Sequence, residues 1–324
     1  MLHAQVARAT EKSMTKQFTL VLGLVIAFTT IIRADEPTSI HREDIIYGRS
    51  YGTALTMDVF QPKNNANHHG IILMVSGGWV SAKESIANPL FQAFFKTPLD
   101  RGYTIFCVVH GAQPKYSIQE IIPMVNRAVR FIRYHAKDYD VDPDHLGILG
   151  GSAGGHLSCM QGVNPLPPDP KAADPIDRVS SKVQAVVAFF PPTDFLNYGA
   201  PGVKQFGTGS LTFVGGAFDF RQFDKQTFKL ERIMDPAKLD TIGREISPIY
   251  FVTPDDAPTM ILQGDKDPLV PLQQAETFLK KLDEAKVTSK LILKPGASHG
   301  WPGIDKDMIT ATDWFDQYLL DAKV

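Results

Sequence analysis

Cysteine is scarce in this chain, with only Cys107 and Cys159 among 324 residues. Two thiols cannot build a disulfide framework, and no Cys/His spacing reads as a zinc site, so neither staple nor metal is expected. Charge of one sign is missing too. Lys plus Arg (33) against Asp plus Glu (35) leave a formal −2, and without a basic run no nucleic-acid partner is expected. Internal repeats and long low-complexity stretches are absent. What is there is ordinary globular composition: 44% hydrophobic and 21% charged residues, with 25 Gly and 23 Pro. That excludes a disordered or collagen-like chain and leaves room for one large core or two small ones.

The N-terminal segment reads as an address. Phe18–Ile32 is an uncharged apolar run after Lys16, short of the roughly 20 residues of a comfortable membrane span. It suits the h-region of a signal peptide cleaved after Ala34, against which stand bulky Ile32 and charged Arg33 beside the cut. Residues 1–13 then read as an upstream extension before Met14. Removing residues 1–34 takes four cations and one anion away, leaving 29 against 34, or −5. The expectation is a mildly acidic secreted or periplasmic protein, with no membrane attachment in its mature form.

From Asp44 onward, strand and helix signals alternate. Asp44–Gly48 and Leu55–Phe60 read as an opening strand pair, and Ile71–Val75 and Tyr103–Val109 as strands buried on both faces. Ser117, with Glu120 three residues on, opens a long helical pattern as a capping box. Leu146–Leu149, Val183–Phe190, Thr259–Gln263 and Lys290–Lys294 are further strands, with helices at Leu272–Ala285 and near Asp305–Leu320. The pattern implies an α/β fold with a mostly parallel sheet covered on both faces, residues 35–324 forming one domain. Between about 195 and 248 the alternation lapses. This stretch, with Asp194 before it, holds seven of the 20 Phe; they either cap a pocket or glue an irregular segment to the body.

The sharpest chemical signal is Gly150-Gly151-Ser152-Ala153-Gly154-Gly155, directly after an apolar strand and before a helix-compatible stretch. A G-x-S-x-G pattern alone is weak, but in this context it describes a strained turn that pushes a hydroxyl out of the sheet. A phosphate loop would need a Lys at its own spacing, and none follows. A serine hydroxyl needs a base. Of nine histidines, His299 lies in a small-residue loop past the last strand, where the chain order Ser, acid, His places it. His110, ending a strand, is the rival, and His156 on the following helix reads as a local packing residue. For the acid, Asp267 between Pro268 and Lys266 is favoured. Asp265 serves equally as a turn cap, and Asp194 stands one strand earlier. Oxyanion donors are expected from the Ala153 N–H and from Gly78 and Trp79, with Gly77 shaping their loop.

Together these elements resemble the α/β-hydrolase superfamily over residues 44–324, in its acetyl esterase, feruloyl esterase and hormone-sensitive-lipase-like branch. The carriers are Leu55–Pro62, Gly77-Gly78, Arg127–Arg133, Asp142-Pro143, Gly151–His156, Asp267 and His299. The resemblance implies an α/β-hydrolase fold with a cap-like insertion and a triad of Ser152, Asp267 and His299, with no cofactor. One departure is Ser76, where the family usually carries a loop-stiffening His before the glycines. The implied function is a serine esterase acting on a small-molecule or polysaccharide ester of acetylxylan or feruloyl type. A peptidase of prolyl-oligopeptidase type and a non-catalytic binding module are the alternatives. Cys107 and Cys159 are expected to be unpaired, buried thiols.

Overall fold

An eight-stranded sheet organises residues 38–320, which the computed structural model describes; the expected signal segment lies outside them. The strands are β1 (Ser39–Ser50), β2 (Thr53–Pro62), β3 (Gly70–Met74), β4 (Thr104–Val109), β5 (Leu146–Gly151), β6 (Ala185–Phe189), β9 (Thr259–Gly264) and β10 (Ser289–Lys294). Their spatial order is β1-β2-β4-β3-β5-β6-β9-β10. Only β2 runs against its neighbours; from β4 to β10 every pairing is parallel. The opening strand pair, the buried runs and the parallel sheet expected from the sequence are all present.

Period-two alternation decides which residues each face receives. Ile72 and Met74 of β3, with Phe106 and Val108 of β4, pack on α2 (Ile118–Tyr134) and α3 (Ala153–Val163). Ile71 and Leu73, with Ile105 and Cys107, face α1 (Pro89–Asp100) and α6 (Ile304–Leu319). A third cluster joins Ala188 and Ile261 to α5 (Leu272–Glu284). The capping box at Ser117 forms, with the Ser117 N–H donating to Glu120 Oε2 at 2.8 Å. Helix α1 was not anticipated: Pro98 lies inside it, and proline reads as a breaker. Its Asn88 side chain nevertheless caps Leu90 N–H, and Phe94, Phe95 and Pro98 bury one face.

The segment between β6 and β9 contains α4 (Pro236–Glu245) and a hairpin of β7 (Arg221–Asp224) and β8 (Lys229–Arg232), neither anticipated. Its phenylalanines divide. Phe195, Phe218 and Phe220 are buried against Trp79, His156 and one another. Phe223 and Phe228 stand exposed on the hairpin. Cys107 and Cys159 are free and buried, and burial pushes both thiols far up.

Candidate active site

The parallel register carries the expected residues to one rim. β5 ends at Gly151, paired with Phe189 of β6, and the Ser152 N–H donates to Phe189 O at 2.8 Å. Ser152 takes φ 54°, ψ −118°, a rarely populated conformation for a residue with a side chain, and α3 begins at the next residue. The turn closes only without a side chain at position 150, where a Cβ would lie 2.5 Å from the Gly154 carbonyl carbon. Helix α3 thus directs its N-terminus, with its unpaired first amides, at the serine.

The base and the acid come from adjacent strands. β9 and β10 run in register to Gly264 and Lys294, so the loops that follow leave the sheet side by side. A Cβ at Gly264 would lie 2.4 Å from Ala297 O, so the two loops touch at a glycine. Asp265 Oδ1 accepts the Gly296 N–H at 2.7 Å, and Lys266 N–H donates to Ala297 O at 2.9 Å. Asp265 therefore staples the loops, and Asp267 carries the contact with His299.

His299 Nε2 lies 2.9 Å from Ser152 Oγ, and its Nδ1 lies 2.8 Å from Asp267 Oδ2. A carboxylate only accepts, so Nδ1 carries the proton and Nε2 presents its lone pair to the hydroxyl. The Asp267 side chain is fully buried and held at every oxygen. Oδ1 accepts the Leu269 and Val270 N–H groups at 2.9 Å each, and Oδ2 also accepts from Gln263 Nε2 at 3.2 Å. Gln263 is a supporting residue that sequence reading missed, although it sits four residues ahead of the acid. Asp194, the rival acid, is occupied elsewhere: it accepts the Leu196 and Asn197 N–H groups and faces Tyr250.

The loop after β3 completes the rim. Gly77 and Val80 exchange two backbone hydrogen bonds at 3.0 Å, while Gly78 and Trp79 both take positive φ. Among the backbone hydrogen bonds of the described residues outside regular elements, neither Gly78 nor Trp79 donates one. These are the two loop amides expected to face an oxyanion. His110, the rival base, is buried; its Nε2 meets Ser76 Oγ at 2.8 Å and its Nδ1 meets Gly111 O at 2.8 Å. His156 is buried as well, between Trp79 Nε1 (3.3 Å) and Ile246 O (2.7 Å).

Ser152 and His299 open into a cavity of about 320 Å³. Its floor is polar: Ser76, the glycine loop, Ser152 and His299. Its walls are apolar, from Leu90, Phe91 and Phe94 of α1, Phe190 beside His299, and Leu211, Phe213 and Val214 of the segment before the hairpin. Phe213 lines the cavity while remaining 67% exposed, so a single ring of that segment serves as wall and others as glue. At the opposite ends of β3 and β5, His69, Asp142 and His145 bring ligand atoms within 4.8 Å of one another. Sequence spacing did not reveal that trio.

The sequence profile of the BD-FAE family matches residues 57–282. A probable carboxylic ester hydrolase, LipM, of Mycobacterium tuberculosis is 26% identical over 75% of this chain and 52% of its own length. Esterase LipC of the same organism is 25% identical over 82% of this chain and 61% of its own. The chain thus spans about half to three-fifths of these curated relatives. Among solved structures, a truncated carbohydrate esterase from gut microbiota superposes with a TM-score of 0.69 at 25% identity, covering 88% of this chain and 98% of that one.

Proposed function

The chain belongs to the BD-FAE family, within the α/β hydrolases, and from that premise we propose that it hydrolyses carboxylic esters through an acyl-enzyme. The observation that carries this reading is the run of two short contacts, 2.9 and 2.8 Å, from Ser152 through His299 to Asp267 at the mouth of an apolar cavity. Ser152 Oγ attacks the acyl carbon as its proton passes to His299 Nε2, and Asp267 stabilises the imidazolium. The charge on the former carbonyl oxygen is met by the amides of Ala153, Gly78 and Trp79. Collapse expels the alcohol, which takes the proton from His299. A water then gives a proton to His299 and attacks the ester carbon, releasing the acid and restoring Ser152.

The walls favour one substrate type over another. A cavity of this size, bounded by Phe, Leu and Val side chains, holds far more than an acetyl methyl and offers few partners to sugar hydroxyls. The acyl side of the ester is therefore an aromatic acid of feruloyl type or a medium-length chain. A carbohydrate alcohol would remain outside the cavity. The similarity to carbohydrate esterases supports such an alcohol, and the apolar N-terminal run Phe18–Ile32 supports export to where plant polysaccharide is met.

Labelling with a fluorophosphonate, located by peptide mapping, tests the nucleophile. Labelling at Ser152 that Ser152→Ala abolishes is expected, and an unlabelled wild-type protein overturns the reading. A panel of acetyl, butyryl, octanoyl and feruloyl esters, with an aminoacyl anilide as peptidase control, tests the substrate. Turnover of the anilide above all esters would favour a peptidase.

A further inference from the structure

Two buried histidines outside the Ser152–His299–Asp267 run make the same pair of bonds. His110 has one ring nitrogen 2.8 Å from the Gly111 carbonyl and the other 2.8 Å from Ser76 Oγ. His156 has one ring nitrogen 2.7 Å from the Ile246 carbonyl and the other 3.3 Å from the Trp79 indole N–H. A carbonyl and an indole N–H fix both tautomers. His110 donates from Nδ1 and accepts the Ser76 hydroxyl at Nε2; His156 donates from Nε2 and accepts from Trp79 at Nδ1. In each case the accepted donor is a side chain of the four-residue loop Ser76-Gly77-Gly78-Trp79. Burial keeps both rings neutral, each pKa being lowered to about 4, and a neutral ring is what the pattern needs.

The loop requires such holding. Trp79 is an aromatic residue at φ 58°, directly after Gly78 at φ 57°, in a backbone region that a residue with a side chain seldom adopts and that the surroundings must hold in place. Its indole is almost fully buried against Phe195 and Phe218, with rings at 5.9 and 5.5 Å. Packing seats the ring, the indole N–H bond to His156 fixes its orientation, and Gly78 and Trp79 line the cavity. Ser76 anchors the other end of the loop, where the chain leaves β3.

We infer that His110 and His156 are positioning residues that hold the oxyanion loop at both ends, through Ser76 and Trp79 respectively. This rests on the ester-hydrolase reading. Its consequence concerns the rate of the chemical step, because a loop that wanders binds the substrate carbonyl nearly as before but meets the developing oxyanion poorly.

The test is a split between kcat and KM on p-nitrophenyl butyrate for Ser76→Ala, Ser76→Thr and Trp79→Phe, each checked by thermal melting. Ser76→Ala and Trp79→Phe are each expected to lower kcat about 10- to 100-fold with KM within threefold, below the ~10²–10³ of losing an oxyanion donor outright. Ser76→Thr restores the hydroxyl and is expected to recover most of the kcat that Ser76→Ala loses. An unchanged kcat in Ser76→Ala, a loss confined to KM, or a Ser76→Thr variant as slow as Ser76→Ala would overturn the inference. Should Trp79→Phe fail to fold, Ser76→Ala against Ser76→Thr decides for His110, and His156→Gln, read by the same split of kcat and KM, decides for His156. Full turnover in Ser152→Ala would instead remove the ester-hydrolase reading, an outcome distinct from these.

Discussion

The floor and the walls of the cavity are built by different rules. Every floor residue, and the acid behind it, follows the carboxyl end of a parallel strand: Ser76 after β3, Ser152 after β5, His299 after β10, and the buried Asp267 after β9. Register fixes where such residues emerge, and short loops leave them little freedom. Most of the walls come from α1 and from the segment between β6 and β9, outside the eight-stranded sheet. On the ester-hydrolase reading, chemistry is thus tied to the sheet, and substrate fit to elements outside it. A fold that separates the two in this way can keep one reaction while altering what it accepts.

Four perturbations sharpen that contrast. The largest effect is expected on the floor. Asp267→Asn keeps the shape but reverses the tautomer preference of His299, so kcat should fall about 10⁴-fold. Steady-state kinetics on a p-nitrophenyl ester measures this, and a fall of less than tenfold would mean that the carboxylate is dispensable. Acid comes next. The folded pKa values of His110 and His156 lie below the ordinary 6.5, so the unfolded chain binds more protons as pH falls. The stability they contribute is complete above about pH 6.5 and is lost as pH drops toward 4, up to about 3 kcal/mol for each ring. Urea unfolding at pH 7, 5.5 and 4.5 should follow that slope, and a flat profile would show that neither ring needs to be neutral.

Third, Gly150→Ala forces a Cβ against Gly154, 2.5 Å from its carbonyl carbon. Overpacking of this kind removes about 1–3 kcal/mol, and differential scanning calorimetry should record a melting point several degrees lower. The smallest effect belongs to the walls. Phe213→Ala should raise KM for feruloyl or octanoyl esters about three- to fivefold, in line with roughly 1 kcal/mol of lost apolar contact, while leaving acetyl esters unaffected. An equal change on both classes would show that this ring does not contact the acyl group.

The same division explains what could be read from the amino acids alone. Ser152, Asp267 and His299 each sit beside a strand whose apolar run is unmistakable, and their neighbours are small or rigid residues that mark a tight loop. Both neighbourhood and chemistry are local, so the meeting of the three side chains, and the place of the Gly78-Trp79 loop beside them, were legible. The walls were not. Phe91, Phe94 and Phe95 lie at helical spacing, yet Pro89 and Pro98 obscure the helix that carries them. The hairpin Arg221–Arg232 is largely exposed, so no buried face leaves an alternating pattern. His110 and Ser76 are 34 residues apart and meet only because β3 and β4 are neighbours in the sheet. His156 reads as a local packing residue because its Trp79 and Ile246 partners lie 77 and 90 positions away.

What His156 grips on the far side is a main-chain carbonyl, that of Ile246, and not a side chain. Peptide oxygens do not mutate. The exposed hairpin from Arg221 to Arg232 is therefore open to drift in composition, and even in length, as long as the backbone at 246 returns to the same place. Change there can recur while the ring of His156 finds the same acceptor each time.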